Sequence, residues 1–254
     1  MSDSLDLTGT VAVVTGASRG LGRAVAHKLC ASGAHVLLNY ASSADAAESA
    51  VESMAGLPGT ATAIRGDIRN PETVRELVDT AVERHGRLDV FVHNAATLPP
   101  MSAVQADLPA LRDEHSLALN PLLHGAALFA KAMTDGGRVI AISGNGAGKV
   151  IPGYVAVGTA KAALESLVRY LAAELAANGI AVNAIATALL DKGPGQQGPL
   201  ANPQAAAKLA ARTPAGRLTT PADVADAVAL LCAPEAAWIH GQVITVDGGL
   251  GLRA

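Results

Sequence analysis

Short apolar runs rich in Val and Ile recur along the chain at residues 10–15, 35–39, 60–64, 88–93, 138–143, 180–185 and 242–246. Each is too short for an ordinary helix, and the β-branched content predicts seven strands. Between most of them the apolar positions return every three or four residues, as in Val74, Leu77, Val78, Ala81 and Val82, or Leu164, Leu167, Val168, Leu171 and Leu175. That spacing makes one face of a helix apolar. Strands separated by helix-length crossovers pair in parallel. The expected fold is therefore α/β, a doubly wound parallel sheet of about seven strands with helices on both faces. No composition break or repeat divides the chain, so residues 1–254 read as a single domain.

One stretch departs from this rhythm, Lys192-Gly-Pro-Gly-Gln-Gln-Gly-Pro199, followed by Ala-rich helical spacing to about Ala211. Lying between the sixth and seventh strands, residues 190–212 read as a lid over the carboxyl edge of the sheet or as an ordinary surface loop.

Composition narrows the chemistry. Hydrophobic residues make up 50% but aromatics only 2%, so the core is built from Ala, Val, Leu and Ile, and each of three tyrosines becomes a candidate for chemistry. The net charge of -3, with no Lys/Arg cluster, argues against nucleic acid or an anionic membrane as partner. No apolar run is long enough to span a bilayer, and the acidic start MSDSLDL is unlike a signal peptide, so a cytoplasmic location is expected. Cys30 and Cys232 stand apart, and no two of the seven histidines share the i, i+4 spacing of a metal pair; neither a disulfide framework nor a metal site is expected.

Directly after the first strand comes Thr15-Gly-Ala-Ser-Arg-Gly-Leu-Gly22, leading into a helical stretch. Gly16, Gly20 and Gly22, with Ser18, Arg19 and Leu21 between them, suit a tight turn that brings backbone N–H groups and a helix N-terminus to a pyrophosphate. Dinucleotide binding follows. The second strand ends in Asn39-Tyr40-Ala-Ser42 rather than in the acid that would hold a ribose 2′-OH, and Arg19 and Ser42 can meet a 2′-phosphate instead, which favours NADP(H) over NAD. A second cluster, Ser143-Gly-Asn-Gly-Ala-Gly-Lys149, is one residue too short for a triphosphate loop and continues with Val150 where Ser or Thr is needed.

The glycine turn, Gly66-Asp-Ile68, His93-Asn-Ala-Ala96 and Lys161 come in an order that resembles the short-chain dehydrogenase/reductase family over nearly the whole chain. Thr213-Pro-Ala-Gly-Arg217 and the segment from Gly241 to Gly249 agree with it. The resemblance implies a Rossmann-type domain, usually homotetrameric, with Asp67 and Ile68 near the adenine and Asn94, Ala95 and Ala96 lining the cofactor. The family's usual catalytic tyrosine stands four residues before the lysine, where this chain has Val157; Tyr154 stands seven before it. That wider spacing, with Lys161-Ala-Ala-Leu-Glu165 and Arg169-Tyr-Leu-Ala172, is similar to the divergent branch of enoyl-acyl-carrier-protein reductases, nearest the NADPH-dependent type III enzymes.

On that basis Tyr154 is the expected proton donor. Lys161 is expected to hold the nicotinamide ribose and, as a cation, to favour the donating tyrosine. Four and seven residues both return to nearly the same helical face, but seven moves the hydroxyl almost a turn further along. Such a relocation suits conjugate reduction, in which hydride goes to the β-carbon of an enoyl thioester while charge develops on an oxygen several bonds away. The substrate expected is an enoyl thioester, for which coenzyme A or an acyl carrier protein is a candidate carrier, or a related enone. A ketoreductase of β-ketoacyl or polyketide-like carbonyls and a non-catalytic NADP-binding protein are the alternatives.

Other family positions are changed. Gly144 stands ten residues before Tyr154, where the resemblance implies a second tyrosine in some enoyl reductases, and thirteen before Val157, where it implies a serine in the common dehydrogenases; Ser143 is the expected substitute. Asn120 matches the family asparagine of a proton relay, though before Pro121 it also suits the N-cap of a helix starting there. After the sixth strand Thr187-Ala188 replaces the family's Pro-Gly. The stretch from Thr159 to Ala177 is apolar on more than one face, which predicts a homo-oligomer, dimer or tetramer.

Overall fold

Continuous apolar strands leave no wet face, and the molecule covers both sides of its sheet. The computed structural model describes residues 5–193 and 199–252. Among them the strands are β1 (Val11–Val14), β2 (His35–Tyr40), β3 (Thr60–Arg65), β4 (Val90–His93), β5 (Gly137–Gly144), β6 (Ile180–Thr187) and β7 (Val243–Val246). All pair in parallel in the order β3-β2-β1-β4-β5-β6-β7. The helices are α1 (Gly20–Ala31), α2 (Ala44–Glu52), α3 (Pro71–His85), α4 (Leu108–Ala132), α5 (Val155–Leu175), α6 (Pro203–Arg212) and α7 (Pro221–Cys232).

Strand side chains alternate between faces, so one strand feeds two cores. Ala12, Val14, Val36, Leu38, Ile140 and Ile142 meet α1 and α7 on one side. Val11, Val13, Leu37, Phe91, Val139 and Val182 meet α3, α4 and α5 on the other. The central strands β1, β4 and β5 are almost wholly buried, whereas edge strands β3 and β7 are only partly so. The chain reverses its winding between β1 and β4, and a crevice opens there at the carboxyl edge, as doubly wound sheets require.

Two helices begin where the sequence pattern did not put them. The 25-residue α4 is capped by Asp107, whose carboxylate accepts from the Ala110 N–H at 3.1 Å, and it runs through Asn120 and Pro121. Asn120 is therefore not an N-cap; its backbone is helical, and proline is accommodated in mid-helix. The cost is local, because Pro121 has no N–H to offer the carbonyl of Leu117. Helix α5 starts at Val155, four residues before the apolar stretch read from Thr159, so Tyr154 occupies its N-cap position and Lys161 sits two turns inside.

Of the expected lid, residues 194–198 lie outside the described residues. The Ala-rich stretch forms α6, capped by Asn202, and none of its described residues is buried. No helix among the described residues is long and apolar enough to cross a membrane. Cys30 and Cys232 are buried in separate helices, and desolvation pushes both thiols up to about 12.

Candidate active site

The crevice is a cleft of about 550 Å³ lined by Gly16, residues 18–22, 39–43, 66–69 and 94–98, Leu117 and Lys192. It brings together every position predicted from sequence to hold a cofactor except Lys161. The glycine turn is built for close approach. A Cβ on Gly22 would lie 2.4 Å from the Gly16 carbonyl oxygen and 2.5 Å from Asn94 Nδ2, so nothing larger fits. Asn94 uses that amide to bind the carbonyls of Thr15 and Gly16, at 3.0 and 3.1 Å. The Thr15 hydroxyl in turn accepts the N–H groups of Asn94 and Ala95. Gly20 has φ +57 and open space around its missing side chain. The first turn of α1 carries neither a side-chain cap nor an acid, which leaves its N–H groups and dipole directed at the cleft. A cradle of this kind fits a pyrophosphate.

Around it the predicted positions divide by role. Arg19 and Ser42 are exposed at the cleft. Asn39 is buried, and its amide donates to the carbonyls of Ile64 and Gly66, bracing the ends of β2 and β3. Tyr40 and Ile68 contribute wall. Asp67 is engaged by Arg69 in a forked ion pair with contacts of 2.6 to 3.1 Å, so a second guanidinium stands at this end of the cleft.

The catalytic candidates gather where β5 ends against the start of α5. The Tyr154 ring packs on Gly146, whose Cβ would lie 2.6 Å from it, and its hydroxyl comes to Gly144, where an added Cβ would stand 3.8 Å away. The tyrosine hydroxyl thus comes beside Gly144, the position where the resemblance implied a second hydroxyl. Val157 is wholly buried and offers no polar group. Burial, with the charge of Glu114, raises the Tyr154 phenol above its usual range.

Lys161 is 5% exposed and donates to the Ile142 carbonyl at 2.8 Å. Desolvation brings its ammonium down to about 8, against the opposing charges of Glu114 and Glu165. Ser143 does not substitute for the missing hydroxyl. Strand alternation puts it on the face covered by α5, with Val139 and Ala141, and its Oγ donates to Glu165 at 2.6 Å. Asn120 is half-buried in α4.

Glu114 and Thr97 were missed. Glu114, 1% exposed, accepts at Oε2 from the backbone N–H and hydroxyl of Thr97, a residue that lines the cleft. Its signal was positional: it begins the stripe continued by Leu117, Ala118, Pro121 and Leu122, where an apolar residue belongs.

Below the site His93 accepts or donates at Nδ1 to the Thr15 hydroxyl at 3.2 Å and turns its other edge toward the carbonyls of Leu117 and Ala118. Desolvation and the charge of Lys161 bring the imidazole down to about 3 from an ordinary 6.5. Between those values the unfolded chain binds the extra proton, so this contribution to stability is complete above 6.5 and is lost as pH falls toward 3. The expected result is that parent protein loses more unfolding free energy than His93→Asn between pH 7 and pH 5 in denaturant titrations. Parallel losses in the two proteins would refute it.

Comparison with known proteins agrees with this architecture. A family model described as enoyl-(acyl carrier protein) reductase matches residues 16–251. A 1-cyclohexenylcarbonyl-CoA reductase of Streptomyces collinus is 37% identical, over 96% of this chain and 88% of that one. A short-chain type dehydrogenase/reductase of Mycobacterium ulcerans superposes with a TM-score of 0.90 at 29% identity, covering 98% of this chain and 92% of the other. The reductase LugOII, which catalyses keto-reduction at C1 in lugdunomycin biosynthesis, superposes with a TM-score of 0.88 at 32% identity, covering 97% and 99%.

Proposed function

The chain belongs to the short-chain dehydrogenase/reductase family of nicotinamide-dependent oxidoreductases, and on that premise we propose that it is an NADPH-dependent reductase of the C=C bond of an enoyl thioester, or of a related enone. The observation that carries this is the hydroxyl of Tyr154 at the end of β5, beside Gly144, with the cation of Lys161 two turns further along the same helix.

In the cleft, the turn from Gly16 to Gly22 and the N-terminus of α1 would hold the pyrophosphate, and Ile68, Asn94, Ala95 and Ala96 would line the remaining length. NADPH is favoured over NADH because β2 ends without a carboxylate, while Arg19 and Ser42 stand free to meet a 2′-phosphate. Bound there, NADPH supplies the hydride. Tyr154 then protonates or hydrogen-bonds the thioester oxygen on which charge accumulates, and the buried ammonium of Lys161 stabilises the electron-rich phenol as that proton leaves. One ammonium proton is committed to Ile142, which leaves two for ribose hydroxyls.

The test is NADPH oxidation with a trans-2-enoyl thioester and the matching β-ketoacyl thioester side by side, repeated with NADH. Faster turnover of the enoyl substrate with NADPH is expected. Ketone reduction is the alternative, supported by the likeness to LugOII, and turnover of the ketone alone would establish it in place of the first. Cofactor binding without turnover of either would mark a non-catalytic NADP-binding protein. A homodimer or homotetramer accompanies this proposal, since α5 leaves Ala162 and Tyr170 at the surface; a monomeric mass by light scattering would overturn it.

A further inference from the structure

We propose that Glu114 is a positioning residue for the Tyr154–Lys161 pair: its carboxylate is the fixed, buried negative charge that both face, and Thr97 holds it in place from the floor of the cofactor cleft. This rests on the assignment of Tyr154 and Lys161 made above.

Four features of geometry point to it. Glu114 begins the buried stripe of α4, yet Oε1 is buried with no hydrogen-bond partner among the described residues. A buried carboxylate left half satisfied is costly, and a residue kept only for packing would not bear that cost. The other oxygen is pinned by both polar groups of Thr97, which fixes the charge relative to the loop after β4. That loop is itself fastened to the active-site turn, because the Met101 N–H donates to the Gly153 carbonyl at 2.9 Å, next to Tyr154. On the adjoining position of α4, His115 Nε2 meets the Thr159 hydroxyl at 2.9 Å, and Thr159 lies between Tyr154 and Lys161 on α5. Helix α4 is thus fastened, one residue after Glu114, to the turn of α5 that separates the two.

The electrostatics agree. The negative charge of Glu114 raises the phenol of Tyr154 and opposes the desolvation that pulls Lys161 down to about 8. Lys161 is also faced by Glu165 on its own helix and lies near neutral His93 on β4. Glu165 is held by Ser143 and its charge bears on Lys161, whereas that of Glu114 bears on both groups. Its physical consequence is that the lysine stays a cation and the tyrosine stays a protonated donor over the same pH range.

The experiment is a tyrosinate titration by near-ultraviolet absorbance, after rapid pH jumps, on the full chain without substrate or cofactor. Parent and Glu114→Gln are compared, each against its Tyr154→Phe counterpart to subtract Tyr40 and Tyr170. Removing the charge is expected to lower the Tyr154 midpoint by about one pH unit. The basic limb of the kcat profile should move down with it, because Lys161 also loses its support. Glu165→Gln should move the kinetic limb and leave the tyrosine midpoint where it is. A merely structural Glu114 would lower thermal stability and move neither midpoint. If the glutamine variant does not fold, Glu114→Asp, which withdraws the charge by one methylene, is expected to shift both in the same direction by less. Unmoved midpoints in whichever variant folds would overturn the proposal. Its failure is separable from failure of the proposed function, since the titration involves no turnover. Full activity in Tyr154→Phe beside a shifted midpoint would defeat the function alone.

Discussion

Tyr154→Phe is expected to lower kcat on the preferred thioester by about 10²–10⁴-fold, the range contributed by one positioned proton donor. The substitution is a clean one here. The ring packs on Gly146, and a phenylalanine keeps that contact while removing only the hydroxyl that reaches Gly144. Neither Val157 nor Ser143 can replace it: Val157 is apolar and wholly buried, and the hydroxyl of Ser143 is committed to Glu165 on the other face of the strand end. Binding of NADPH should change little, because the glycine turn and the other residues that line the cofactor cleft are untouched. Single-turnover kinetics with saturating cofactor would measure the chemical step directly. Retention of the parent rate would mean that the proton comes from elsewhere and that the seven-residue spacing has another cause.

The second large effect is expected at the glycine turn. Gly22→Ala forces a Cβ to within 2.4 Å of the Gly16 carbonyl oxygen, 2.5 Å of Asn94 Nδ2 and 2.9 Å of the Ala17 Cα. Two of those three are backbone and cannot rotate away. Relief must move the start of α1 off β1 or break the Asn94 bonds to Thr15 and Gly16. Overpacking typically costs about 1–3 kcal/mol and each lost hydrogen bond about 1 kcal/mol, so a loss of about 2–4 kcal/mol is expected in unfolding free energy. If the displaced turn loses as much of its interaction with the pyrophosphate, NADPH affinity falls by about 30- to 700-fold. Gly20→Ala supplies the contrast. Its Cβ would meet nothing within 4 Å, and only the left-handed backbone, worth about 1–2 kcal/mol, opposes it. Equal melting temperatures for the parent and Gly22→Ala would show that the turn is looser than its contacts imply.

Much of this molecule was visible along the chain because its information is local. The seven apolar runs and the helical spacing between them predicted the parallel, two-faced sheet, since a strand buried on both sides needs an unbroken apolar run. The glycine turn was equally plain: its three glycines, Arg19 and the start of α1 are contiguous. The cleft positions after β2, β3 and β4 followed from their places at successive strand ends. Asn120 and Ser143 show where such inference stops. An Asn-Pro pair is an ordinary helix start, and the bonds that instead carry α4 straight through it come from packing against α3 and α5. Whether a strand-end serine faces the pocket or the covering helix depends on which face the alternation selects.

By itself, then, the sequence determined the sheet, its class of cofactor cleft and the separation of Tyr154 from Lys161, all carried by neighbouring residues and by period. Three-dimensional packing was needed to show that the Tyr154 hydroxyl comes beside Gly144, that Ser143 belongs to Glu165, and that Glu114 lies buried and bonded to Thr97. The reason is physical: those relations join α4, α5 and the ends of β4 and β5, whose approach is set by how two apolar cores close on opposite faces of the sheet, and no local pattern specifies that closure.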